Sequence, residues 1–406
     1  MHYGVCHNWR AMEFDVVVVG ASSAGLYAAE LLLQAGKRVA IVEQEPEIRP
    51  ARRTLIVTSE ILSPLPELSS SVETAVTRTI VVQAGENSCR IRLNPPDLVL
   101  DRRDLVLWLA EQVRRLGGEI IAGRGFQGFE QDGRGLRLRL GDGKTADTVV
   151  AREAVIGADG VFSQVARAAG IEKTRCVPII QAEVHPPDGG DPETTWVRFD
   201  PSETRFFYWL IPQGPDRAVL GLVGDDSRRT RELLDRFLVL QGLRAEAFQS
   251  SQVALHHPRL RPWTRVAGVP VYLVGDAAGQ VKVTTVGGTV PGLLGARAAA
   301  QAVLLDQPYA WSLRPLKREL DVHWGLRALL DRLDEEGYRR LVGLLTPKLQ
   351  EFLRRHNRDR MAQVFWKLPL IQPRLLTLGL RCLWRKSQPP PSAEPPQPVL
   401  DVGGRR

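Results

Sequence analysis

The chain has 406 residues, 44% of them hydrophobic and 25% charged, and a formal net charge of +8 at neutral pH. These are values of a globular protein with room for about two or three complete cores, which excludes a disordered or fibrous chain. No apolar run approaches the ~18 residues that a transmembrane helix needs. The segment before Met12 lacks the apolar stretch of a signal peptide, and the sequence leaves open whether translation begins at Met1 or Met12.

The first predicted element is the apolar, β-branched run 14–19, which is typical of a buried parallel strand. The glycine-rich turn 20–25 follows it and leads into a predicted helix over residues 26–34. A second predicted strand, 39–42, ends at Glu43. A βαβ unit of about 30 residues, with an acid about 20 residues beyond the turn, is the fingerprint of a dinucleotide-binding fold.

The residues of this unit suit dinucleotide binding for separate physical reasons. Gly20 permits the tight turn, Gly25 lets the helix pack closely on the strand, and the helix N-terminus offers free N–H groups to a pyrophosphate. Glu43 can accept hydrogen bonds from the ribose hydroxyls. Ser22 replaces the usual second glycine and is small enough for a phosphate to approach. The predicted dinucleotide-binding residues of this unit are Gly20, Ser22, Ser23, Ala24, Gly25, Glu43 and Gln44.

Two later segments repeat the combination of a buried strand, a glycine turn and a helix. The first follows a predicted β-meander over 126–150 and carries Asp159 in its turn. The second is the strand 271–274, which runs into Asp276, a glycine pair and a predicted helix over 290–304. An acid at the end of a strand can hold a sugar hydroxyl, and the N-terminus of the later helix can stabilise negative charge on a ligand.

The three glycine segments together resemble those of the FAD enzymes of the para-hydroxybenzoate hydroxylase fold, over residues 13–305. Residues 157–160 match the DG motif of that fold, and residues 275–276 match its GD motif. The resemblance implies FAD as cofactor and an α/β fold. That fold comprises a Rossmann-type FAD-binding domain, an inserted antiparallel-sheet substrate domain and a C-terminal helical region. The further cofactor-binding residues that the resemblance implies are Arg102, Asp159, Gly275, Asp276, Gly287 and Gly288.

The third segment narrows the resemblance to one family. Residues 275–288 read GDAAGQVKVTTVGG, which is similar to GDAAGQVKPTTGGG of the geranylgeranyl reductase family, with Val283 for proline and Val286 for glycine. Residues 207–212 read FYWLIP and resemble that family's YxWxFP, although the WxWxIP of flavin halogenases fits the second half equally. The candidate catalytic residues are Phe207, Tyr208 and Trp209. Ordinary packing of aromatic residues in a sheet is the alternative interpretation.

The resemblance implies saturation of C=C bonds in a prenyl chain, with hydride from reduced flavin reaching one carbon and a proton reaching the other. Its isoprenoid substrate would be a glycerolipid, a quinone or a chlorophyll-type molecule. Tyr208, His185 and a water on the loop 287–288 are candidate proton donors. The electron donor is open between NADPH and ferredoxin. The alternatives are an oxygen-using monooxygenase or halogenase of the same fold and a non-catalytic flavin- or lipid-binding protein.

The predicted domains interleave along the chain. The flavin domain is expected from 13–50, 98–175 and 263–305, and the substrate domain from 51–97 and 176–262. A C-terminal helical region is expected over 306–387, and a proline-rich disordered tail over 388–406.

The excess positive charge lies near the C-terminus, since Lys and Arg outnumber Asp and Glu between Ser312 and Lys386. The apolar stretches 365–370 and 375–381 have basic flanks. They suit either a cap on the substrate domain or contact with anionic lipid on the cytoplasmic face of a membrane. No nucleic-acid-binding motif accompanies the charge. The four cysteines lack metal-site spacing and indicate reduced thiols in the cytoplasm, so no metal is expected; the oligomeric state is open.

Overall fold

The computed structural model describes residues 12–68, 70, 72–141, 146–186 and 189–383. The predicted tail 388–406 and the start at Met1 lie outside these residues.

The strands are β1 (Met12–Val19), β2 (Val39–Val42), β3 (Thr54–Val57), β4 (Glu73–Ala84), β5 (Asn87–Asp101), β6 (Glu119–Ile121), β7 (Gly125–Asp132), β8 (Gly135–Gly141), β9 (Ala146–Gly157), β10 (Cys176–Val184), β11 (Thr194–Phe199), β12 (Tyr208–Pro212), β13 (Ala218–Val223), β14 (Ala245–Ala254), β15 (Trp263–Val266) and β16 (Val269–Leu273). The helices are α1 (Ser23–Gln34), α2 (Arg102–Arg115), α3 (Gln164–Ala168), α4 (Ser227–Leu240), α5 (Thr289–Leu304), α6 (Tyr309–Leu330), α7 (Glu335–Gly343), α8 (Pro347–Arg355), α9 (Met361–Val364), α10 (Leu368–Ile371) and α11 (Arg374–Leu383), with 3-10 helices at Ser59–Leu62, Gly275–Ala278 and Phe365–Lys367.

The first sheet has the order β15-β16-β9-β1-β2-β6, and its core from β16 to β6 is parallel. Strands β7, β8 and β9 form the predicted antiparallel meander. A parallel sheet is covered on both faces, which explains the apolar sequence of β1. Because side chains alternate along a strand, Val16 and Val18 face α1, α2 and α5, whereas Val17 and Val19 face α3 and the meander.

The second sheet has the order β14-β10-β13-β12-β11-β4-β5-β3 and is antiparallel except between β11 and β4. One face packs on α4, where Leu222 and Tyr208 contact the cluster around Phe237. The opposite face carries Trp209 and Ile211 and packs on the segment that precedes α5. The predicted antiparallel substrate sheet is therefore confirmed.

The division into domains remains a prediction, although the two sheets follow it closely. Strands of the first sheet come from 12–42, 119–157 and 263–273, and those of the second from 54–101 and 176–254. Strand β5 continues to Asp101 rather than ending at the predicted boundary of residue 97, because its last residues pair with β3.

The C-terminal helical region is confirmed and lies against both sheets. Helix α6 packs on α5, α7 packs on β4 and β5 of the second sheet, and α8 packs on β5. Among the helices of the described residues, none combines the length and the apolar character needed to cross a bilayer.

Candidate active site

A cavity of about 1640 Å³ lies between the two sheets and the C-terminal helices. It exceeds the ~300–1,000 Å³ of an ordinary ligand pocket, so it has room for more than one ligand. The predicted site residues that line it are Ser22, Ser23, Ala24, Gln44, Arg102, Phe207, Trp209, Gly275, Asp276, Gly287 and Gly288. The predicted site residues outside its lining are Gly20, Gly25, Glu43, Asp159 and Tyr208.

The first glycine turn presses against the second glycine segment. Gly20 has φ 101°, and a Cβ there would lie 2.5 Å from the carbonyl oxygen of Ala158. A Cβ at Gly25 would lie 2.3 Å from the carbonyl oxygen of Gly20. These contacts are with backbone that cannot move aside, so the two glycines shape the turn while its intervening residues face the cavity.

Ser22 and Glu43 hold the turn from opposite sides. The Ser22 hydroxyl accepts a hydrogen bond from Gly25 N–H at 3.2 Å and caps α1, which therefore begins at Ser23 rather than at residue 26. The Glu43 carboxylate accepts from Ala21 N–H at 2.9 Å and from Glu45 N–H at 3.0 Å. An ionised carboxylate has about four acceptor positions, so Glu43 keeps acceptors for ribose hydroxyls.

Two arginines and an aspartate meet at the cavity wall beside β3 and α2. Arg102 begins α2, and its backbone N–H donates to the carbonyl oxygen of Arg53 at 2.9 Å. Burial raises the pKa of the Asp276 carboxyl, while the charges of Arg53 and Arg102 oppose that rise. Within the described part of the chain neither guanidinium makes a hydrogen bond, so both retain donors for an anionic ligand. Sequence analysis selected Arg102 and missed Arg53.

The segment that leads into α5, residues 279–288, forms a further donor surface; we call it the α5 loop. Gly288 is the N-cap of α5 and supplies no side-chain acceptor, so N–H groups of the first turn remain for a ligand. Gly287, Gly288 and Thr289 line the cavity. The hydroxyl of Thr285, also in the cavity wall, is buried without a hydrogen-bond partner in the described structure. An acceptor on a bound ligand would satisfy these groups.

Asp159 does not face the cavity, which corrects its prediction as a cofactor ligand. Its carboxylate accepts hydrogen bonds from the Ser163 hydroxyl at 2.6 Å, Gln164 N–H at 2.7 Å and Val165 N–H at 3.1 Å. Burial raises the pKa of this carboxyl, and those hydrogen bonds oppose the rise. Asp159 therefore holds the N-cap Ser163 and the first turn of α3, and it fixes the turn whose other residues, Ala158 and Gly160, reach the cavity.

Strand β12 and Phe207, the residue before it, place the three candidate catalytic residues on two faces. Phe207 and Trp209 line the cavity, whereas Tyr208 lies on the opposite face against Phe237 of α4, with ring centroids 4.7 Å apart. Burial also raises the pKa of the Tyr208 hydroxyl. The prediction of Tyr208 as a catalytic residue and proton donor is therefore wrong. His185, the other candidate side-chain donor, is also outside the cavity and pairs with Glu246 at 2.8 Å.

The sheet face that carries Trp209 presents both apolar and polar side chains to the cavity. The apolar lining residues on β4, β5, β11 and β12 are Ile80, Val82, Ile91, Leu93, Val197, Phe199, Trp209 and Ile211. On β10 and β14 the lining also includes linked polar side chains: the Gln181 amide donates to Gln249 at 2.7 Å, and the Gln249 amide donates to Glu183 at 2.6 Å. The cavity therefore suits an amphiphilic ligand.

Residues 355–361, between α8 and α9, close one side of the cavity and are held by buried ion pairs. Asp359 pairs with Lys282 of the α5 loop and also accepts a hydrogen bond from the Thr58 hydroxyl at 2.5 Å. The neighbouring Arg358 pairs with Asp97 of β5. Burial raises the pKa of the Asp359 carboxyl, but the Lys282 charge and these hydrogen bonds outweigh it and leave that pKa below its ordinary value.

Comparison with known proteins agrees with this geometry. Residues 13–289 match the family profile described as an FAD binding domain. A digeranylgeranylglycerophospholipid reductase from Methanothermobacter thermautotrophicus is 31% identical over 300 residues, which cover 68% of this chain and 74% of that protein. The chain belongs to the geranylgeranyl reductase family. It is an FAD-dependent oxidoreductase of that type.

Solved structures show the same fold. A geranylgeranyl bacteriochlorophyll reductase-like protein from Thermoplasma acidophilum has a TM-score of 0.77 at 19% identity and covers 91% of this chain and 100% of its own. The flavin-dependent brominase Bmp2 has a TM-score of 0.64 at 16% identity, with coverage of 91% and 100%. Identity this low shows a shared fold alone.

The residues of the site fit FAD. The glycine turn leaves the N-terminus of α1 open beside Ser22 and Ser23, as a pyrophosphate requires. Free guanidinium donors at Arg53 and Arg102 and the uncapped N-terminus of α5 suit the other polar groups of the cofactor. In the described residues no group of His, Cys, Asp and Glu is arranged to hold a metal ion.

Proposed function

We propose that the enzyme saturates C=C bonds of a geranylgeranyl or longer polyprenyl chain carried by a lipid, quinone or chlorophyll-type molecule. The observation that carries this proposal is the apolar sheet face with Phe207 and Trp209, which meets the α5 loop in one cavity. The polar group formed by Gln181, Gln249 and Glu183 suits a headgroup at the other end. The named relative supports the same substrate class.

Bound FAD, once reduced by NADPH or a ferredoxin, supplies the hydride that such a reaction needs. An isolated alkene accepts hydride poorly, so the task of the protein is to hold one double bond in an attacking geometry. Phe207 and Trp209 restrict the chain on the sheet side, and the α5 loop restricts it on the other. With Tyr208 and His185 outside the cavity, a water held at Gly287 and Gly288 is the proton source that we propose.

An anaerobic assay tests this function. The purified holoenzyme is reduced with dithionite and mixed with geranylgeranyl lipids of different headgroups, and flavin absorbance and lipid mass are followed together. We expect flavin reoxidation with mass gains in pairs of hydrogens. Trp209→Ala should lower kcat/KM by roughly 10²-fold, because a misplaced alkene loses its attacking geometry. Trp311→Ala, at an exposed tryptophan, is the control. A flavin that stays reduced with every lipid would contradict the proposal.

The oxygen-using alternative rests on residues 209–212, which also fit the halogenase motif, and on the fold shared with the brominase. Oxygen or halide appearing in an organic product, with no hydrogenated lipid, would favour it. Replacing dithionite by NADPH or by reduced ferredoxin in the anaerobic assay identifies the electron donor.

We also propose that the enzyme contacts the cytoplasmic face of a membrane through residues 365–381. Trp366 and Leu370 expose 60% and 70% of their surface, and Leu376 and Leu380 expose 52% and 55%. Lys367, Arg374 and Arg381 stand among them, which suits anionic headgroups. The same segment begins directly after α9, whose Met361 and Val364 line the cavity, so a lipid substrate has a short path from the bilayer.

Sedimentation with vesicles tests this contact. The double variant Trp366→Ala/Leu370→Ala should bind vesicles of anionic phospholipid at least ~10-fold more weakly, since each apolar side chain contributes about 1.5–3 kcal/mol when buried. The control is Val239→Ala/Leu240→Ala at the end of α4, where the side chains are also exposed, at 79% and 44%. Equal binding by both variants would contradict the assignment.

A further inference from the structure

The α5 loop contains a residue whose backbone conformation is unusual for its side chain. Thr285 N–H donates to the Lys282 carbonyl at 3.3 Å, and Lys282 N–H donates to the Gly287 carbonyl at 3.1 Å, so residues 282–287 form a tight turn. Val286, just before the closing residue, has φ 53°. Turns closed in this way commonly place one residue in the left-handed region, and glycine is the usual choice.

Valine is poorly suited to this position. A β-branched residue in the left-handed region is a conformational outlier. The other described non-glycine residues with positive φ, Ala267 and Asp306, are not β-branched. Gly287 and Gly288 follow directly, yet neither has a positive φ. Strain of this kind persists where the surrounding packing determines it, and such positions cluster at ligand clamps.

The packing around Val286 belongs to the apolar end of the cavity. Its side chain is 9% exposed, lines the cavity and lies in the same hydrophobic cluster as Phe206, Trp209 and Val281. The indole of Trp209 packs directly on the backbone of Gly221 on β13, where a Cβ would come within 2.4 Å of the ring. This backbone prevents the indole from moving away from the cavity. Trp209 is therefore supported on the sheet side, and Val286 belongs to the same cluster on the side of the α5 loop.

We propose that Val286 determines specificity: its isopropyl group narrows the cavity beside Trp209, so that a chain-shaped ligand is favoured over a ring-shaped one. This inference rests on the proposed function, since it assumes that an isoprenoid chain enters the cavity. A glycine at this position would relieve the backbone strain and remove that bulk from the cavity wall.

Binding to the oxidised holoenzyme tests this without turnover. The probes are a saturated phytanyl glycerol ether, as the chain, and 1-naphthol, as the ring, titrated against flavin absorbance and tryptophan fluorescence. We expect Val286→Ala and Val286→Gly to raise the ratio of naphthol affinity to chain affinity at least ~10-fold. A change of this size is the usual discrimination of an apolar pocket. The matched control is Val283→Ala, a buried valine of the same loop that does not line the cavity. The FAD content of each variant verifies its folding.

The outcomes separate this inference from the proposed function. Normal chain binding with an unchanged preference in both Val286 variants overturns the inference alone. A gain with glycine but none with alanine also overturns it, because both changes remove the bulk. A wild-type enzyme that already binds naphthol better than the chain overturns the inference and counts against the proposed function. A wild-type enzyme that binds neither probe, with variants that gain naphthol alone, supports the role of Val286 while counting against the chain substrate.

Discussion

Lys282→Met is expected to lower the free energy of unfolding by roughly 3–5 kcal/mol, because it leaves the Asp359 carboxylate buried without its partner. The side chains of this pair are only 5% and 4% exposed. Asp359→Leu should be similarly damaging, whereas the double variant Lys282→Met/Asp359→Leu should recover most of the loss, since neither charge then remains. Denaturant unfolding of the holoenzyme, arranged as a double-mutant cycle, measures the coupling.

The control for this cycle is the pair of Lys37 and Glu153, which has an N–O distance of 2.7 Å and side chains that are 27% and 39% exposed. Lys37→Met should cost no more than about 1 kcal/mol. Equal losses at the two lysines would show that burial of the Lys282 pair has no energetic consequence. Because the pKa of Asp359 lies below its ordinary value, its contribution should be complete at neutral pH and should be lost as the pH falls through that lowered pKa.

Gly20→Ala is expected to lower the retention of FAD. The new methyl group would lie 2.5 Å from the Ala158 carbonyl oxygen and 2.9 Å from Cα of Asp159, so the first two glycine segments would have to separate. Loss of this geometry should weaken FAD binding at least ~10-fold, which corresponds to about 1.4 kcal/mol. The measurement is the ratio of flavin to protein absorbance after gel filtration.

Gly36→Ala is the matched control for this substitution. Gly36 also has a positive φ, 81°, but a Cβ there meets nothing within 4 Å. Both variants therefore carry the same backbone penalty of about 1–2 kcal/mol, and only Gly20→Ala adds the collision. If the two variants retain equal amounts of FAD, the close approach of the two segments is not what holds the cofactor site together.

Local patterns were enough to predict the parts of the fold that depend on neighbouring residues. The apolar run of β1, the glycine turn and the acid at Glu43 each follow from short-range chemistry, and the structure places them as one unit. The prediction of Tyr208 as a catalytic residue failed because the aromatic residues 207–209 were treated as one group. The alternation of a strand requires that Phe207 and Trp209 share a face and that Tyr208 does not.

Other features of the site leave little local signal. Lys282 and Asp359 are 77 residues apart, and no spacing in the sequence links them. Arg53 was not among the predicted site residues, because its position beside Asp276 depends on how β3 joins the second sheet. Asp159 carried a recognised motif, but only the hydrogen bonds to α3 show that the carboxylate turns away from the cavity.

The parallel pairing of β11 with β4 has a consequence for engineering. It aligns residues 194–199 with residues 79–84. The chain passes from the first sheet into the second twice, and these two strands belong to different passages. The cavity wall formed by the second sheet is thus assembled from both segments. A chimera that takes only one of the two segments from a relative would pair β11 or β4 with a strand of a different sequence. Exchange of substrate range between family members therefore has to move both segments together.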